Sequence, residues 1–406
     1  MAAPGVLIIV ENLPVPNDRR VWLEATTLQK AGYTVSVISI KGNKKSNKSY
    51  EYLDNVHVYR YPAPPATSGT ISFLIEFSYC WIMSFLLSIR VAFGPGFTVI
   101  HACNPPETFW LIGLIYKLFG KKFIFDHHDL SPEMYLSRFG QEGTAYKGLL
   151  FLEKTTFRVA DRVLTTNETH KKVAIERGEY PAEKIHIVRS GPDDSVLYPV
   201  EPITELKKGF KYMVSYLGVI NPQDGVDTLV EVAHKLIRER GREDILFVIM
   251  GTGDAQPDLI KQAEELGISE YFHFTGWVDQ DDIRAYLSTT DVAVDTMPKT
   301  PYSDAATMNK ILEYMAMGCA IACFDLVESR VSAGDAAVYA RPDDQEDLAD
   351  KIEELLADDA RRVVMGASGR QRIENELSWD HQSQNLLEAY RATLGSRAPQ
   401  PSPAAN

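Results

Sequence analysis

Cysteine is scarce in this sequence and never paired. Cys80, Cys103, Cys319 and Cys323 include no CxxC spacing, which excludes a zinc ribbon, a dithiol redox motif and a disulfide framework, and fits buried thiols in a reducing compartment. Long uncharged runs are missing too. The most hydrophobic stretch, residues 71–93, has only thirteen uncharged residues between Glu76 and Arg90, fewer than the roughly 20 that cross a bilayer. It reads as a buried or half-buried helix, with an interfacial role as the sharper alternative. The start, MAAPGVLIIVENLP, lacks a basic region ahead of a long apolar core and reads as a first strand, not a leader. No GxGxxG follows that strand, which counts against a dinucleotide dehydrogenase. Positive charge is also short: the net charge is −13, so no nucleic acid is expected as a partner.

What is present is a chain of 406 residues, 45% of them apolar, enough for two ordinary cores. Its halves differ electrostatically, residues 1–200 summing to +3 and residues 201–406 to −16. The first half tolerates an anionic surface that the second would avoid.

In order, Val6–Val10, an amphipathic helix ended by Gly32 and TVSVISI give a βαβ opening, the start of a doubly wound α/β sheet. Arg19 and Arg20 in its first loop could reach a phosphate or be plain surface arginines. FTVIHAC and FIFD read as further parallel strands with polar residues at their carboxyl ends, where such sheets place ligands. The second runs into His127, His128 and Asp129; neighbouring strand residues point to opposite faces, so the two histidines cannot easily share one metal. Pro199 and Pro202 stiffen a predicted interdomain connection, and YMVSYLGV opens a second domain. There INPQDG forms a turn, and Gly251 and Gly253 a tight strand-end turn.

Chemistry is densest in SDAATMNKILEYMAMGCAIACF, residues 303–324. The pattern predicts one helix capped by Ser303 or Asp304 and stopped by Gly318, then a buried strand. Met308, Ile311, Leu312 and Met315 share one face, and Asn309, Lys310 and Glu313 fall roughly opposite. A cation near a helix start with a carboxylate one turn later suits a nucleoside diphosphate and its ribose.

NKILEYMAMGCAIACFD resembles the nucleotide-sugar signature of the retaining glycosyltransferases of family 4 (glycosyl transferases group 1). The resemblance implies the GT-B fold, two Rossmann-like domains whose parallel sheets face each other across a cleft. These would be residues 1–198, with a helix at 378–395 packing back on them, and residues 210–377, before a disordered tail at 396–406. It implies that Glu313 holds the donor ribose. Ala305 stands where the family has a sugar-side Glu, leaving Asp304 as the nearest acid. FDHHD resembles the family's strand-end HD motif, in which His128 faces the donor sugar, with Asp129 and Glu133 orienting it or meeting the acceptor. Trp277, after Gly276, matches the position beside the base. Val219 and Asp224 replace the family's two diphosphate cations, so Lys310 is the natural substitute, helped by the amides at Gly218 and at the helix start. Asn221, Gly251, Gly253, Ser303 and Asn309 complete the expected donor site. The implied activity is hexose transfer with retention, without metal or cofactor, from a nucleotide-sugar donor to a saccharide or lipid-linked acceptor. The setting would be bacterial surface polysaccharide or glycolipid synthesis, in the cytoplasm at the inner face of the membrane, with peripheral contact through the first domain. A sugar-nucleotide epimerase and a catalytically idle binding subunit stay open beside it.

Overall fold

A computed structural model describes residues 3–42, 47–64 and 70–399. Much of the lysine-rich stretch 41–48, and residues 400–406 of the expected tail, lie outside these. The chain divides into two compact units, one of residues up to Arg189 and from Gln382 onward, the other Ser190–His381.

The first unit runs β1 (Gly5–Ile9), α1 (Arg19–Lys30), β2 (Thr34–Ile40), β3 (Tyr50–Leu53), β4 (Val56–Tyr61), α2 (Thr70–Phe93), β5 (Val99–Cys103), α3 (Trp110–Lys117), β6 (Lys122–His127), α4 (Ser131–Phe139), α5 (Thr144–Val159), β7 (Arg162–Thr165), α6 (Glu168–Glu176) and β8 (Ile185–Ile187). Its sheet order is β3-β4-β2-β1-β5-β6-β7-β8. Every pairing is parallel except β3 with β4. Connections leave β1 in one direction and return from β4 to β5 in the other, so β1 and β5 flank the point where such sheets open a crevice at their carboxyl ends.

The second unit runs β9 (Tyr212–Leu217), α7 (Val226–His234), β10 (Ile245–Met250), α8 (Gln256–Glu265), β11 (Phe272–Gly276), α9 (Gln280–Thr289), β12 (Val292–Asp295), α10 (Pro301–Ala305), α11 (Asn309–Ala316), β13 (Ile321–Phe324), α12 (Val327–Ala333), β14 (Ala337–Ala340), α13 (Gln345–Leu356), α14 (Asp359–Arg372) and α15 (Trp379–Leu394). The sheet order is β11-β10-β9-β12-β13-β14 and all pairings are parallel. Both faces are covered, so a central strand such as β10, ILFVIM, is buried throughout. From Gln382, α15 belongs to the first unit, where Tyr390 OH meets His101 Nδ1 at 2.8 Å.

Three expectations need correction. The predicted connection after residue 198 belongs to the second unit from Ser190 on. Leu197 is part of its core, Leu206 and Phe210 pack against it, and Ser288 and Thr289 accept from the amides of Val200 and Ile203 at 2.9 Å each. Apolar contacts and hydrogen bonds fix what Pro199 and Pro202 alone would have left as a spacer. The single helix predicted from residue 303 is two. Thr300 caps the first, accepting from the Ser303 amide at 3.0 Å, with Pro301 at its first position. The backbone is extended at Ala306 (ψ 132°) and Met308 (ψ 110°) before α11 begins. Finally, Gly395–Arg397 at the start of the expected disordered tail forms a 3-10 turn.

Charge is buried in the first unit. Arg20 on α1 is 8% exposed. Its Nε and Nη2 donate to the two oxygens of Asp126 on β6 at 3.1 and 2.7 Å, and Nη1 donates to the Val188 carbonyl at 2.8 Å. Nη2 also lies 3.2 Å from Glu24, one helical turn on. Arg20 is therefore a structural cation, not a surface arginine aimed at phosphate. Burial pushes the Asp126 carboxyl up, but Arg20, His128 and His101 outweigh it and hold it well below its usual range. Glu24 is shifted the other way: burial first, and then the Asp126 charge, raise it over the help of Arg20 and His128.

A carboxyl whose folded pKa lies above its unfolded one stabilises fully at pH below the unfolded value, and that contribution is lost as pH rises through the folded one. Glu24→Gln should thus be near neutral at pH 5. It should gain about 1–3 kcal/mol over wild type by pH 8.5 in urea unfolding followed by tryptophan fluorescence; equal effects at both pH values would refute the assignment. In the second unit, Gly251 (φ 134°) leaves no room for a Cβ against the Gly218 carbonyl. Gly251→Ala should lower stability by about 2–4 kcal/mol, seen as a drop in Tm.

Candidate functional site

In the first unit, β6 ends in a split pair of histidines. His127 and Asp126 alternate across the strand, and His127 turns into the core. It is fully buried, with Nε2 3.1 Å from Glu153 Oε1 and its ring against Phe157 and His170. His128 follows Asp126 on the other side, its side chain 12% exposed and Nδ1 3.6 Å from Asp126 Oδ2. Its Nε2 is buried without a hydrogen-bond partner among the described residues. Asn104, just past β5, fixes the turn: Oδ1 accepts from the amides of His128 and Asp129 at 2.8 and 3.2 Å, and Nδ2 donates to the Asp129 carbonyl and to Glu107 at 2.6 and 2.9 Å. The sequence reading missed Asn104; an amide between a strand and a Pro-Pro pair is its only local signal.

Glu133 does not meet His128. It forms a bidentate pair with Arg177, which also holds Glu153 through Nε at 2.6 Å. Through Glu153 this network supports His127, so Glu133 sits in a structural chain and not on the open histidine.

Among the described residues one group of His, Cys, Asp and Glu has metal-like proximity. The ligand atoms of Glu24, His101, Cys103 and Asp126 lie within 4.8 Å of one another. The Arg20 guanidinium already supplies the positive charge to its carboxylates, and a cation beside it would be repelled.

In the second unit the candidate donor residues stand at strand ends and on α11. Lys310 is largely buried, its side chain 10% exposed. Nζ lies 3.2 Å from both Asp295 Oδ1 and Tyr216 OH, and 4.7 Å from the Tyr216 ring centre. Burial opposes its charge, yet Asp295, Tyr216 and Asp224 together raise its pKa, so it stays an ammonium. Its Cε lies under Gly218, whose missing Cβ would sit 3.3 Å from it. Met308 at the cap position makes no side-chain cap bond to the start of α11, and no acid lies in its first turn. Helix-start amides beside a fixed cation make a place for an anion. Asn309 is exposed there and Glu313 half-buried one turn on. Tyr314, unremarked in the sequence, pins two strand ends: its hydroxyl accepts from Leu217 N at 2.8 Å and donates to Val294 O at 3.1 Å.

Other donor candidates have their bonds elsewhere. The Gly218 amide donates to the Met250 carbonyl at 3.0 Å and that of Gly251 to Gly276 at 3.0 Å, so neither is offered to a ligand. Gly251 and Gly253 let the β9 and β10 loops touch backbone to backbone: a Cβ on Gly253 would overlap the Ile220 carbonyl. Asn221 and Asp224 form a capping box, the carboxylate accepting from the Asn221 amide at 3.0 Å. Ser303 Oγ donates to the Pro298 carbonyl at 2.6 Å. Asp304 accepts from Lys299 Nζ at 3.1 Å and from the first amide of α12, Val327 N, at 2.9 Å. It caps a helix, so it is no simple stand-in for a sugar-side carboxylate. Trp277 is 74% exposed just past β11. A pocket at the starts of α7 and α8 reaches Asn221 and Pro222 but none of Lys310, Glu313 or Trp277.

Known proteins resemble both units. Residues 18–196 match the family model described as Glycosyltransferase Family 4, and residues 211–358 the model described as Glycosyl transferases group 1. The chain is 27% identical over 322 residues to alpha-maltose-1-phosphate synthase of Mycolicibacterium smegmatis, covering 72% of this chain and 79% of that one. It is 23% identical over 250 residues to O-antigen chain mannosyltransferase B of Escherichia coli, covering 59% and 64%. Among solved structures, a sucrose-phosphate synthase from Thermosynechococcus elongatus superposes with a TM-score of 0.78 at 19% identity, over 96% of this chain and 98% of that one. An Anabaena HepE protein in complex with UDP and glucose does so at 0.73 and 14%, over 96% and 100%. With matched models spanning most of both parallel-sheet units and whole-chain likeness to these structures, the chain belongs to the family 4 glycosyltransferases and has their GT-B fold.

Proposed function

We propose that this glycosyltransferase moves a hexose, with retention at the anomeric carbon and without a metal ion or other cofactor, from a nucleoside-diphosphate sugar to a saccharide or lipid-linked acceptor. The observation that carries the donor half is Lys310, a largely buried ammonium at the start of α11 with Glu313 one turn away. Charge builds on the diphosphate as the glycosidic bond breaks. A fixed cation and aligned amides stabilise that charge more than they stabilise the ground state. Glu313 would accept from ribose hydroxyls, and Trp277, exposed just past β11, would offer a face for the base. In the first unit, His128 has a ring nitrogen, Nε2, without a hydrogen-bond partner among the described residues, and would be the group for the sugar side of the reaction.

Relatives support the class of chemistry. Similar proteins include a mannosyltransferase of O-antigen chains and a lipopolysaccharide core glycosyltransferase. They favour a role in surface polysaccharide or glycolipid synthesis.

A thermal-shift panel of UDP, GDP and ADP with their sugar conjugates tests the donor site. Ligand at 100 times Kd stabilises by about 2.7 kcal/mol. One nucleotide family should raise the Tm of wild type and of Asn221→Ala, and fail to do so for Lys310→Ala and Glu313→Ala. No shift with any nucleotide would sink the transferase reading and favour an idle binding subunit. The histidines separate by readout. His128→Ala should keep Tm and nucleotide affinity while turnover of the identified donor falls about 10²-fold or more. His127→Ala should instead lower stability by about 2–4 kcal/mol, since it leaves Glu153 short of a buried partner.

A further inference from the structure

The two ring nitrogens of His128 have different surroundings. Asp126 and His128 are two residues apart, so strand alternation puts both side chains on one side of β6. His128 Nδ1 lies 3.6 Å from Asp126 Oδ2, long for a hydrogen bond but close for a charge and a dipole away from water. Nε2 is buried, with no hydrogen-bond partner among the described residues. The backbone under the ring is fixed as well, because Asn104 Oδ1 accepts from the His128 and Asp129 amides at 2.8 and 3.2 Å.

Asp126 can direct the ring only as an anion. A carboxylate accepts and never donates, whereas a carboxylic acid could turn its own proton toward Nδ1. Arg20 keeps Asp126 ionised, its Nε and Nη2 donating to the two oxygens at 3.1 and 2.7 Å. His101 Nε2 stands 3.5 Å from both Asp126 Oδ2 and Glu24 Oε2. Burial, and then the Asp126 charge, raise the Glu24 carboxyl to about 8, so near neutral pH the proton of this carboxylate pair is on Glu24 and not on Asp126. Two other acids are engaged elsewhere. Glu133 pairs with Arg177. Asp18, the cap of α1, has its carboxyl pushed up by burial against the pull of His128, and its Oδ1 accepts from the Val21 amide at 3.1 Å.

We propose that Asp126 positions the sugar-side histidine: its carboxylate draws the Nδ1 proton of His128 toward itself, and the lone pair left on Nε2 accepts a hydrogen bond from a hydroxyl of the donor sugar. A neutral imidazole has one donor and one acceptor nitrogen, and the partner of one decides the role of the other. Asp126 is thus a positioning residue that acts through the ring. It also sets a preference, since a hydroxyl can donate to that lone pair while a carboxylate or phosphate oxygen is repelled by it. This inference rests on the reading of His128 as the group on the sugar side.

The test reads the tautomer in the full chain carrying isotope-labelled histidine. Long-range proton–nitrogen correlation spectra at pH 8.5, with His128 assigned by its loss in His128→Gln, should show a proton on Nδ1 and none on Nε2. A proton on Nε2 of the wild type overturns the proposal without any variant having to fold. Asp126→Asn, whose amide can donate to Nδ1, should move the proton to Nε2. Its kcat/KM with the identified nucleotide sugar should fall about 10²-fold while affinity for the bare nucleotide stays unchanged. An Asp126→Asn chain that melts cooperatively and keeps the wild-type tautomer overturns the proposal. Asp18→Asn retains a good helix cap and should match wild type in tautomer and turnover; a flip there would give the role to Asp18 and overturn it too. Donor analogues with fluorine in place of single hydroxyls test the hydrogen bond, because fluorine cannot donate. One of them should cost wild type at least about tenfold more in kcat/KM than it costs His128→Ala; equal costs at every position overturn that part. If no nucleotide sugar is turned over, the donor reading fails, and the spectra still decide the role of Asp126.

Discussion

A guanidinium sealed among carboxylates organises the first unit. Arg20 comes from α1, Asp126 from β6 and the Val188 carbonyl from just past β8, so one side chain ties together three places far apart in sequence. Removing either Arg20 or Asp126 would strand an unpaired charge in a dry environment, which costs far more than the pair contributes when intact. The arrangement also divides labour along β6. Asp126 stays ionised beside Arg20, His128 stands next to it near solvent, and His127 is held in the core by Glu153. Strand alternation produces this separation without any further device.

The second unit is held by contact of main chain with main chain. Gly218, Gly251 and Gly253 remove the side chains that would keep the β9 and β10 loops apart, and the amides released by that approach bond across it. Above this rigid floor Lys310 is clamped by Asp295 and Tyr216, and Tyr314 keeps the β9 and β12 ends in register. A flexible lysine thereby becomes a fixed charge.

Much of this was legible from residue order. Two doubly wound sheets follow from apolar runs alternating with amphipathic stretches, and the apolar face of Ile311, Leu312 and Met315 is the buried one. Other features were hidden for physical reasons. The break between α10 and α11 falls in DAATM, where alanine favours helix and nothing local marks a stop. The decisive signals, Thr300 and Pro301, lie upstream of the apparent cap. Arg20 resembles its neighbour Arg19, yet it shares the buried side of α1 with Glu24, Ala25 and Leu28. An arginine and a glutamate one helical turn apart on an apolar stripe were a readable clue to burial. The occupations of Glu133, Asp304 and the Gly218 amide are tertiary facts, since each partner lies on a different element, and spacing along the chain carries no trace of them.

The pairing of Lys310 with Asp295 bears on the kinetics of association. Seen from a distance, ammonium and carboxylate 3.2 Å apart form a dipole and not a charge, and they sit in a half of the chain that sums to −16. Such a surface has no far-reaching attraction with which to gather anions; at long range its net negative charge repels them, and salt screens that repulsion. Under the donor site proposed above, selection of an anion would rest on short-range contact with the Lys310 ammonium, which Asp295 and Tyr216 hold in place.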